Sequence, residues 1–215
     1  MSHADFGQPA GLPAATVFDA LGADYERAFA GSAAHRASLD GLLERLSPGS
    51  RVLDVGSGTG RPTAQALAGA GHRVVGVDVS PVMTALAARQ VPDAEFLCAD
   101  IRDLPLADGE FDAVCAYFSL LQLSRDDQKE LLGRLVRAVR PGGRLVVATV
   151  PVDVADVDAV FMGQPVRVSS FGAAEFTALA AGAGTVVEER QSTLFTPDHP
   201  AGEPEPHLFL RCRRV

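Results

Sequence analysis

The chain has 215 residues, the size of one compact domain or of a domain with a small appendage. Hydrophobic residues make up 47% and charged residues 21% of it, as in ordinary folded proteins, so a disordered or collagen-like chain is excluded. The 19 Lys and Arg residues against 27 Asp and Glu residues give a net charge of -8, which argues against the basic face that nucleic-acid binders carry.

The N-terminal part of the chain is predicted to form two helices before the first strand. Apolar residues recur there at helical spacing in two stripes. The first stripe contains Val17, Phe18, Leu21, Tyr25 and Phe29, and the second contains Leu39, Leu42, Leu43 and Leu46. The sequence Ser-Pro-Gly at residues 47–49 ends the second helix.

From residue 51 onward, strand-like apolar runs alternate with helical patterns, which predicts an open α/β sheet. Strands are predicted at residues 51–55, 73–77, 94–98, 111–116, 144–150, 185–194 and 207–213, and helices at residues 62–70, 81–89, 124–139 and 173–181. The stretch 151–171 is expected to be irregular, with little material for a cap over a site. Its acids Asp153, Asp156 and Asp158 are expected to form a solvated face, since no histidine supports a metal site.

The most informative segment runs from Asp54 to Gly60, where three glycines spaced by two residues lie between a buried strand and a helix. Glycines in such a loop let the backbone approach a ligand closely. The dinucleotide-binding fingerprint requires a further glycine where this chain has Arg61, so the loop departs from that pattern. A tight strand-to-helix connection without a ligand is the alternative interpretation.

Acidic residues stand at the ends of three successive strands. Asp54 lies in the first strand, Asp78 directly follows the second, and Asp100 follows the third. Because ligands of open α/β sheets bind at the carboxyl ends of the strands, we expect these carboxylates to converge on one pocket. A carboxylate at the position of Asp78 can accept both hydroxyls of a ribose. Taken alone, each acid also fits a helix cap or a surface residue.

Together these segments resemble the class I S-adenosylmethionine-dependent methyltransferases of the small-molecule type with a minimal core. The matching segments, in the expected order, are residues 53–60, 77–78, 99–101, 111–114 and 140–143. The resemblance implies a Rossmann-like sheet of seven mostly parallel strands with an antiparallel last strand, helices on both faces and the two N-terminal helices as a lid. It divides the chain into a helical lid, residues 1–50, and an S-adenosylmethionine-binding domain, residues 51–215.

The resemblance also implies S-adenosylmethionine as the cofactor and assigns roles to residues. Asp54 is expected to hold the amino group, Asp78 the ribose hydroxyls and Asp100 the adenine amino group. Several acids suit a ligand that carries a sulfonium and an ammonium against one carboxylate. The other expected cofactor-binding residues shape the loop or pack near the adenine and the methyl group: Gly56, Ser57, Gly58, Gly60, Val79, Met83, Ile101 and Tyr117. For Met83, plain packing in a helix core is the alternative.

The methyl acceptor is expected to be a small molecule. Residues 116–119, Ala-Tyr-Phe-Ser, occupy the position that faces the transferred methyl group in this class. They lack the acidic or amide residue and the prolines of relatives that methylate nucleic acids or amide side chains. The negative net charge points the same way, so a nucleic-acid partner is not expected. Methylation at O, N, S or C remains open.

Methyl transfer is an in-line displacement at carbon, so a base is needed only if the acceptor loses a proton. The candidate catalytic residues are His199 and His207, in and after the last loop, and Tyr25, in the first apolar stripe. For the histidines the alternative is a solvated loop position, and for Tyr25 it is core packing. No metal is expected.

The chain is expected to act in the bacterial cytoplasm without a membrane partner, as a monomer or weak homodimer. No run approaches the ~20 apolar residues of a membrane helix, and the first residues lack a signal-peptide pattern. Two rival functions stay open. One is a nicotinamide-dependent oxidoreductase, which Arg61 disfavours. The other is a protein that keeps the cofactor pocket without methylating, as a different catalyst or a regulatory binding module.

Overall fold

A computed structural model describes residues 11–215 of the chain. The helices are α1 (Ala14–Leu21), α2 (Ala23–Phe29), α3 (Ala33–Leu43), α4 (Thr63–Gly69), α5 (Pro81–Gln90), α6 (Arg125–Ala138) and α7 (Ala173–Gly182). The strands are β1 (Arg51–Val55), β2 (Arg73–Asp78), β3 (Glu95–Cys98), β4 (Phe111–Tyr117), β5 (Val139–Thr149), β6 (Val154–Phe161), β7 (Gln164–Ser170), β8 (Thr185–Phe195) and β9 (Glu205–Arg214). No helix in the described range combines the length and apolar character needed to cross a membrane.

Seven strands form one sheet in the order β3-β2-β1-β4-β5-β9-β8. The first five pair in parallel, whereas β9 pairs antiparallel with both β5 and β8. Strand β9 therefore enters the sheet between β5 and β8, although it follows both in the chain. This arrangement confirms the predicted mostly parallel sheet with an antiparallel last strand.

Helices cover both faces of the sheet and create a hydrophobic core on each. On one face, Leu131 and Leu135 of α6 and Phe176 of α7 pack against the central strands. On the other face, Leu42 of α3 and Leu67 of α4 do the same. The central strands β1 and β4 are buried on both sides, as expected of a covered parallel sheet.

A third, smaller core lies away from the sheet. It joins Val17, Leu21 and Ala28 of the first two helices to Met162 and Val166 of the β6–β7 hairpin, and we call it the lid cluster. The helices and the hairpin thus come from distant parts of the chain and share one apolar interior.

The N-terminal region contains three helices, where the sequence predicts two. Gly22 divides the first predicted helix, because its left-handed backbone (φ 48°) cannot continue a helix, and its N–H donates to the carbonyl of Phe18 (2.9 Å). Helix α3 packs on the sheet, whereas α1 and α2 belong to the lid cluster. The division at residue 50 stays a prediction, and its residues 1–10 lie outside the described range.

The stretch after β5 is a β-hairpin, so the prediction of an irregular segment with little cap material was wrong. Met162 and Gly163 form its turn, both with positive φ (48° and 82°), as a type I′ hairpin turn requires. The left-handed Asp156 (φ 52°) lies where the strand register shifts, which breaks the alternation that would have revealed the strand. Asp158 pairs with Arg167 at 3.0 Å across the hairpin.

Candidate functional site

The glycine loop after β1 is held against β2 by its own backbone. The N–H groups of Gly56 and Ser57 donate to the carbonyl of Val77 at 2.7 and 3.1 Å. Gly56 cannot carry a side chain, because a Cβ atom there would lie 2.3 Å from the Cβ atom of Ser119. A Cβ atom on Gly58, which has a φ of 53°, would meet no atom within 4 Å, so this part of the loop borders open space.

Two adjoining cavities, of about 620 and 230 Å³, lie at the carboxyl ends of the parallel strands. Both are lined by Tyr25, Phe29, Gly56, Gly58, Tyr117 and Phe118, which mark their junction. The larger cavity extends over the end of β2 and under the β6–β7 hairpin, and the smaller one lies beside Asp54. A ligand that follows the glycine loop would occupy part of each.

Asp78 ends β2 on the wall of the larger cavity and fixes the glycine loop. Its two carboxylate oxygens accept N–H bonds from Gly58 and Ser80, each at 2.9 Å. Burial raises the pKa of this carboxyl, while the hydrogen bonds from Ser80 and Gly58 oppose that shift. The Ser80 hydroxyl in turn donates to Asp19 of α1 (2.5 Å), so the first helix docks beside the acid.

Asp54 lies on the wall of the smaller cavity and is only 2% exposed. Its Oδ2 atom is buried without a hydrogen-bond partner among the described residues. Burial, with a smaller contribution from the charge of Asp78, raises the pKa of this carboxyl from 3.8 to about 7. The position is therefore suited to a bound cation or hydrogen-bond donor.

Asp100 reaches the larger cavity already paired. Arg102 donates to both of its oxygens, with a shortest distance of 2.7 Å, and these bonds hold the pKa of the carboxyl below its usual range. A ligand at this end of the cavity would share the carboxylate with the guanidinium, which also lines the cavity.

The chain was compared with known proteins. Residues 52–143 match the family described as "Methyltransferase domain". The chain is 47% identical over 113 residues to a demethylmenaquinone methyltransferase of Beutenbergia cavernae, an alignment that covers 53% of this chain and 45% of that relative. Residues 52–143 thus carry a methyltransferase domain, and the chain as a whole resembles the class I S-adenosylmethionine-dependent methyltransferases. It spans about half the length of the curated relatives that it matches.

Solved structures share the fold of this methyltransferase domain over nearly the whole chain. One is a 1,6-didemethyltoxoflavin-N1-methyltransferase of Burkholderia thailandensis, solved with S-adenosylhomocysteine (24% identity, TM-score 0.70, 97% of this chain and 93% of that one). Another is the [4+2]-cyclase SpnF (22% identity, TM-score 0.72, 96% of this chain and 99% of that one). At these identities the likeness shows the fold alone.

Most of the residues predicted to bind the cofactor lie together in the methyltransferase domain. Val79, Met83 and Ile101 line the larger cavity with Asp78 and Asp100. Ser57 lines the smaller cavity with Asp54, and Tyr117 lines both. Gly60 lines neither cavity. A Cβ atom there would meet the side chains of Phe96, Val91 and Ala87 at 3.1–3.3 Å, so this glycine packs closely against the region of α5 and β3.

Two of the three candidate catalytic residues line the cavities, and the third does not. Tyr25 lines both cavities, and burial and the charges of Glu205 and Asp78 raise the pKa of its phenol, which keeps the phenol protonated. His207 is fully buried on the wall of the smaller cavity, not solvated, with Nε2 2.7 Å from Oε1 of Glu205. His199 lines neither cavity, and its Nδ1 accepts a hydrogen bond from the N–H of Ala201 (3.1 Å).

Arg102, Glu205 and the β6–β7 hairpin escaped the sequence analysis. All of them line the larger cavity, as does Ser119, which the sequence analysis placed opposite the transferred methyl group. Gln122 lies on the same wall, and both polar atoms of its side chain are buried without a partner among the described residues. The Met-Gly pair at residues 162–163, which forms the tight turn, was the sequence signal available for the hairpin. No local sequence pattern marks Glu205 as a site residue.

Proposed function

We propose that this protein transfers the methyl group of S-adenosylmethionine to a small-molecule acceptor. The observation that carries the proposal is the glycine loop between Asp54 and Asp78, which Gly58 leaves open toward both cavities. S-adenosylmethionine supplies a methyl carbon attached to a positively charged sulfur. Transfer of this methyl group depends on its alignment with the acceptor and on the exclusion of water more than on an acid or a metal.

The chain's own residues suit the parts of this ligand. The Oδ2 atom of Asp54, which has no partner among the described residues, can accept a hydrogen bond from the ammonium group of the ligand. The carboxylates of Asp78 and Asp100 can bind the ribose hydroxyls and the adenine amino group, respectively. Val79, Met83 and Ile101 supply apolar contact for the adenine, and Ser57 and Tyr117 border the methionine part. We assign α1, α2 and the hairpin as the lid that keeps water from the junction of the cavities.

A small acceptor is favoured over a macromolecule. Beyond Asp78 and Asp100, the wall of the larger cavity is mainly apolar, and the net charge of -8 opposes a polyanion. The name of the Beutenbergia relative also points to a small molecule. A protein that uses the pocket without methyl transfer is the second candidate, supported by the structural likeness to a cyclase.

The deciding experiment is a calorimetric titration with S-adenosylhomocysteine, with NAD titrated in parallel. We expect micromolar binding of S-adenosylhomocysteine and none of NAD. Asp78→Asn should weaken that binding by roughly 10–100-fold, because a hydrogen bond to a charged group is lost. Asp126→Asn, which removes the same charge from a side chain 95% exposed on α6, is the control and should bind as wild type.

The absence of S-adenosylhomocysteine binding would overturn the proposal. Binding without release of S-adenosylhomocysteine from S-adenosylmethionine, across a panel of hydroxyl, amine, thiol and carbon acceptors, would favour the second candidate.

A further inference from the structure

The larger cavity continues past the proposed nucleoside end into a wall of aromatic rings. Tyr25 packs edge-on against Phe18 (ring centroids 5.5 Å apart) and lies 4.9 Å from Phe29, which stacks with Phe161 of the hairpin at 6.0 Å. Valines of the hairpin complete this wall. Stacked and edge-on rings favour a flat, conjugated ligand over a flexible polar one.

Glu205 is the charged group that this wall offers to such a ligand. Among the described residues, the charged side chains that line the larger cavity are Asp78, Asp100, Arg102 and Glu205, and the first three lie at the nucleoside end. Glu205 begins β9, and its side chain keeps 26% of its surface exposed. The negative charge thus lies beside aromatic rings, and no arginine or lysine of residues 11–215 pairs with it.

His207 holds this carboxylate in place. Its Nε2 lies 2.7 Å from Oε1 of Glu205, and an ionised carboxylate can only accept, so Nε2 carries the hydrogen. Its Nδ1 atom then carries no hydrogen, and this buried atom has no hydrogen-bond partner among the described residues. Rings of Phe118 and Phe195 flank the imidazole at 4.4 and 5.3 Å and fix its plane. Oxygen Oε2 of Glu205 accepts no bond from His207.

The bond to His207 places Glu205 near the junction of the cavities. Glu205 lines the larger cavity, whereas His207 lines the smaller one and stacks on Phe29, which lines both. Tyr25 itself lines both cavities. Glu205 therefore approaches the region where the glycine loop meets the aromatic wall, which is where a methyl group would be transferred.

We propose that Glu205 is the proton-accepting residue of the site, and that the acceptor is a planar aromatic or conjugated molecule that presents a hydroxyl group to it. The inference rests on the proposed function. His207 is a positioning residue that acts through Glu205. The Gln122 amide, which has no partner within residues 11–215, is a second polar contact for the acceptor.

The chemistry balances without a further reactant. The acceptor oxygen forms the new bond to the methyl carbon, the carbon–sulfur bond breaks, and its electron pair stays on the sulfur. The hydroxyl proton passes to Oε2 of Glu205, while Oε1 keeps its bond from His207. The products are a methyl ether and S-adenosylhomocysteine, and the proton leaves to solvent when the lid opens.

The test is binding of three matched probes to the protein saturated with S-adenosylhomocysteine: 2-naphthol, 2-methoxynaphthalene and 2-decalol. We expect 2-naphthol to bind at least tenfold more tightly than the methoxy compound, which has no hydrogen to donate, and than the saturated alcohol, which is not planar.

Variants separate the roles of the two residues. Glu205→Gln should lose most of the preference for 2-naphthol, whereas Glu203→Gln, an exposed acid in the same loop, should leave the preference unchanged. His207→Gln, which can still donate to Glu205, should retain more of the preference than His207→Leu.

Equal binding of the three probes, no binding of any, or an unchanged preference in Glu205→Gln would overturn the inference. S-adenosylhomocysteine affinity is measured in the same proteins. Its absence in the wild type would refute the proposed function, whereas its presence without probe discrimination would refute only the role of Glu205.

Discussion

The buried carboxyl of Asp54 makes the stability of the ligand-free protein depend on pH. Its pKa of about 7 in the folded state lies above the ordinary value of 3.8, so the folded state binds this proton more tightly than the unfolded state does. The stabilisation is fully present below about pH 4 and is lost as the pH rises through about 7. We expect a loss of up to about 4 kcal/mol in the free energy of unfolding from this group.

Urea denaturation between pH 4 and pH 8 measures this loss. Asp54→Asn should remove most of the decline, because the amide has no proton to lose. An equally steep decline in Asp54→Asn would assign the effect to other groups. S-adenosylhomocysteine should restore more stability at pH 8 than at pH 5, since its ammonium would face the ionised carboxylate.

At the scale of single residues, the sequence predicts site residues that lie at the ends of strands. It misses site residues that reach the cavity only through contacts made in the folded protein. Asp54, Asp78 and Asp100 could be found because parallel strands bring their carboxyl ends to one edge. Arg102 and Glu205 could not, since their importance comes from where the Asp100 pair and the antiparallel entry of β9 place them.

At the scale of elements, two helical glycines offer a paired prediction. Gly133 of α6 has free space, because a Cβ atom there would meet its nearest neighbour, Arg137, at 3.7 Å. Gly133→Ala should raise the free energy of unfolding by about 0.5–1 kcal/mol through helix propensity alone. A Cβ atom on Gly41 of α3 would lie 1.8 Å from the buried guanidinium of Arg211.

Gly41→Ala gains the same helix propensity, but it forces Arg211 away from its partner Glu189. We expect a net loss of stability, measured with Gly133→Ala by chemical denaturation under the same conditions. If Gly41→Ala proved as stabilising as Gly133→Ala, the contact of Arg211 with Glu189 would contribute nothing to the free energy of unfolding.

Elements of regular periodicity were predictable, and irregular ones were not. The strands and helices from β1 to α6 follow their apolar patterns closely, because each buries one face or both against the sheet. The hairpin was missed because left-handed Asp156 and a register shift interrupt its alternation. The division at Gly22 was missed because the apolar stripe runs through it on both sides.

At the scale of the whole molecule, the lid cluster is the weakest of the three cores. It contains five buried residues, whereas each core beside the sheet contains many more. Segments with fewer buried contacts open at lower free energy. We therefore expect the amides of residues 14–29 and 154–170 to exchange hydrogen faster than those of β1, β4 and β5.

Hydrogen–deuterium exchange with mass spectrometry tests this expectation in the absence and presence of S-adenosylhomocysteine. The ligand should slow exchange in both lid segments together, because they share one apolar interior. Protection of one segment without the other, or exchange as slow as in the central strands, would show that the lid is not a unit.

The position of β9 also determines the order in which the newly made chain can fold. Strand β8 leaves the ribosome before β9, yet it joins the sheet only through β9. During that interval β5 presents an open edge, which any other strand with free N–H and C=O groups can occupy. Until β9 inserts, neither β8 nor the carboxylate of Glu205 has its final neighbours. The time between synthesis of β5 and insertion of β9 is therefore the period in which aggregation competes with folding. Faster translation of residues 150–214, or chaperones that cover the β5 edge, should raise the yield of folded protein.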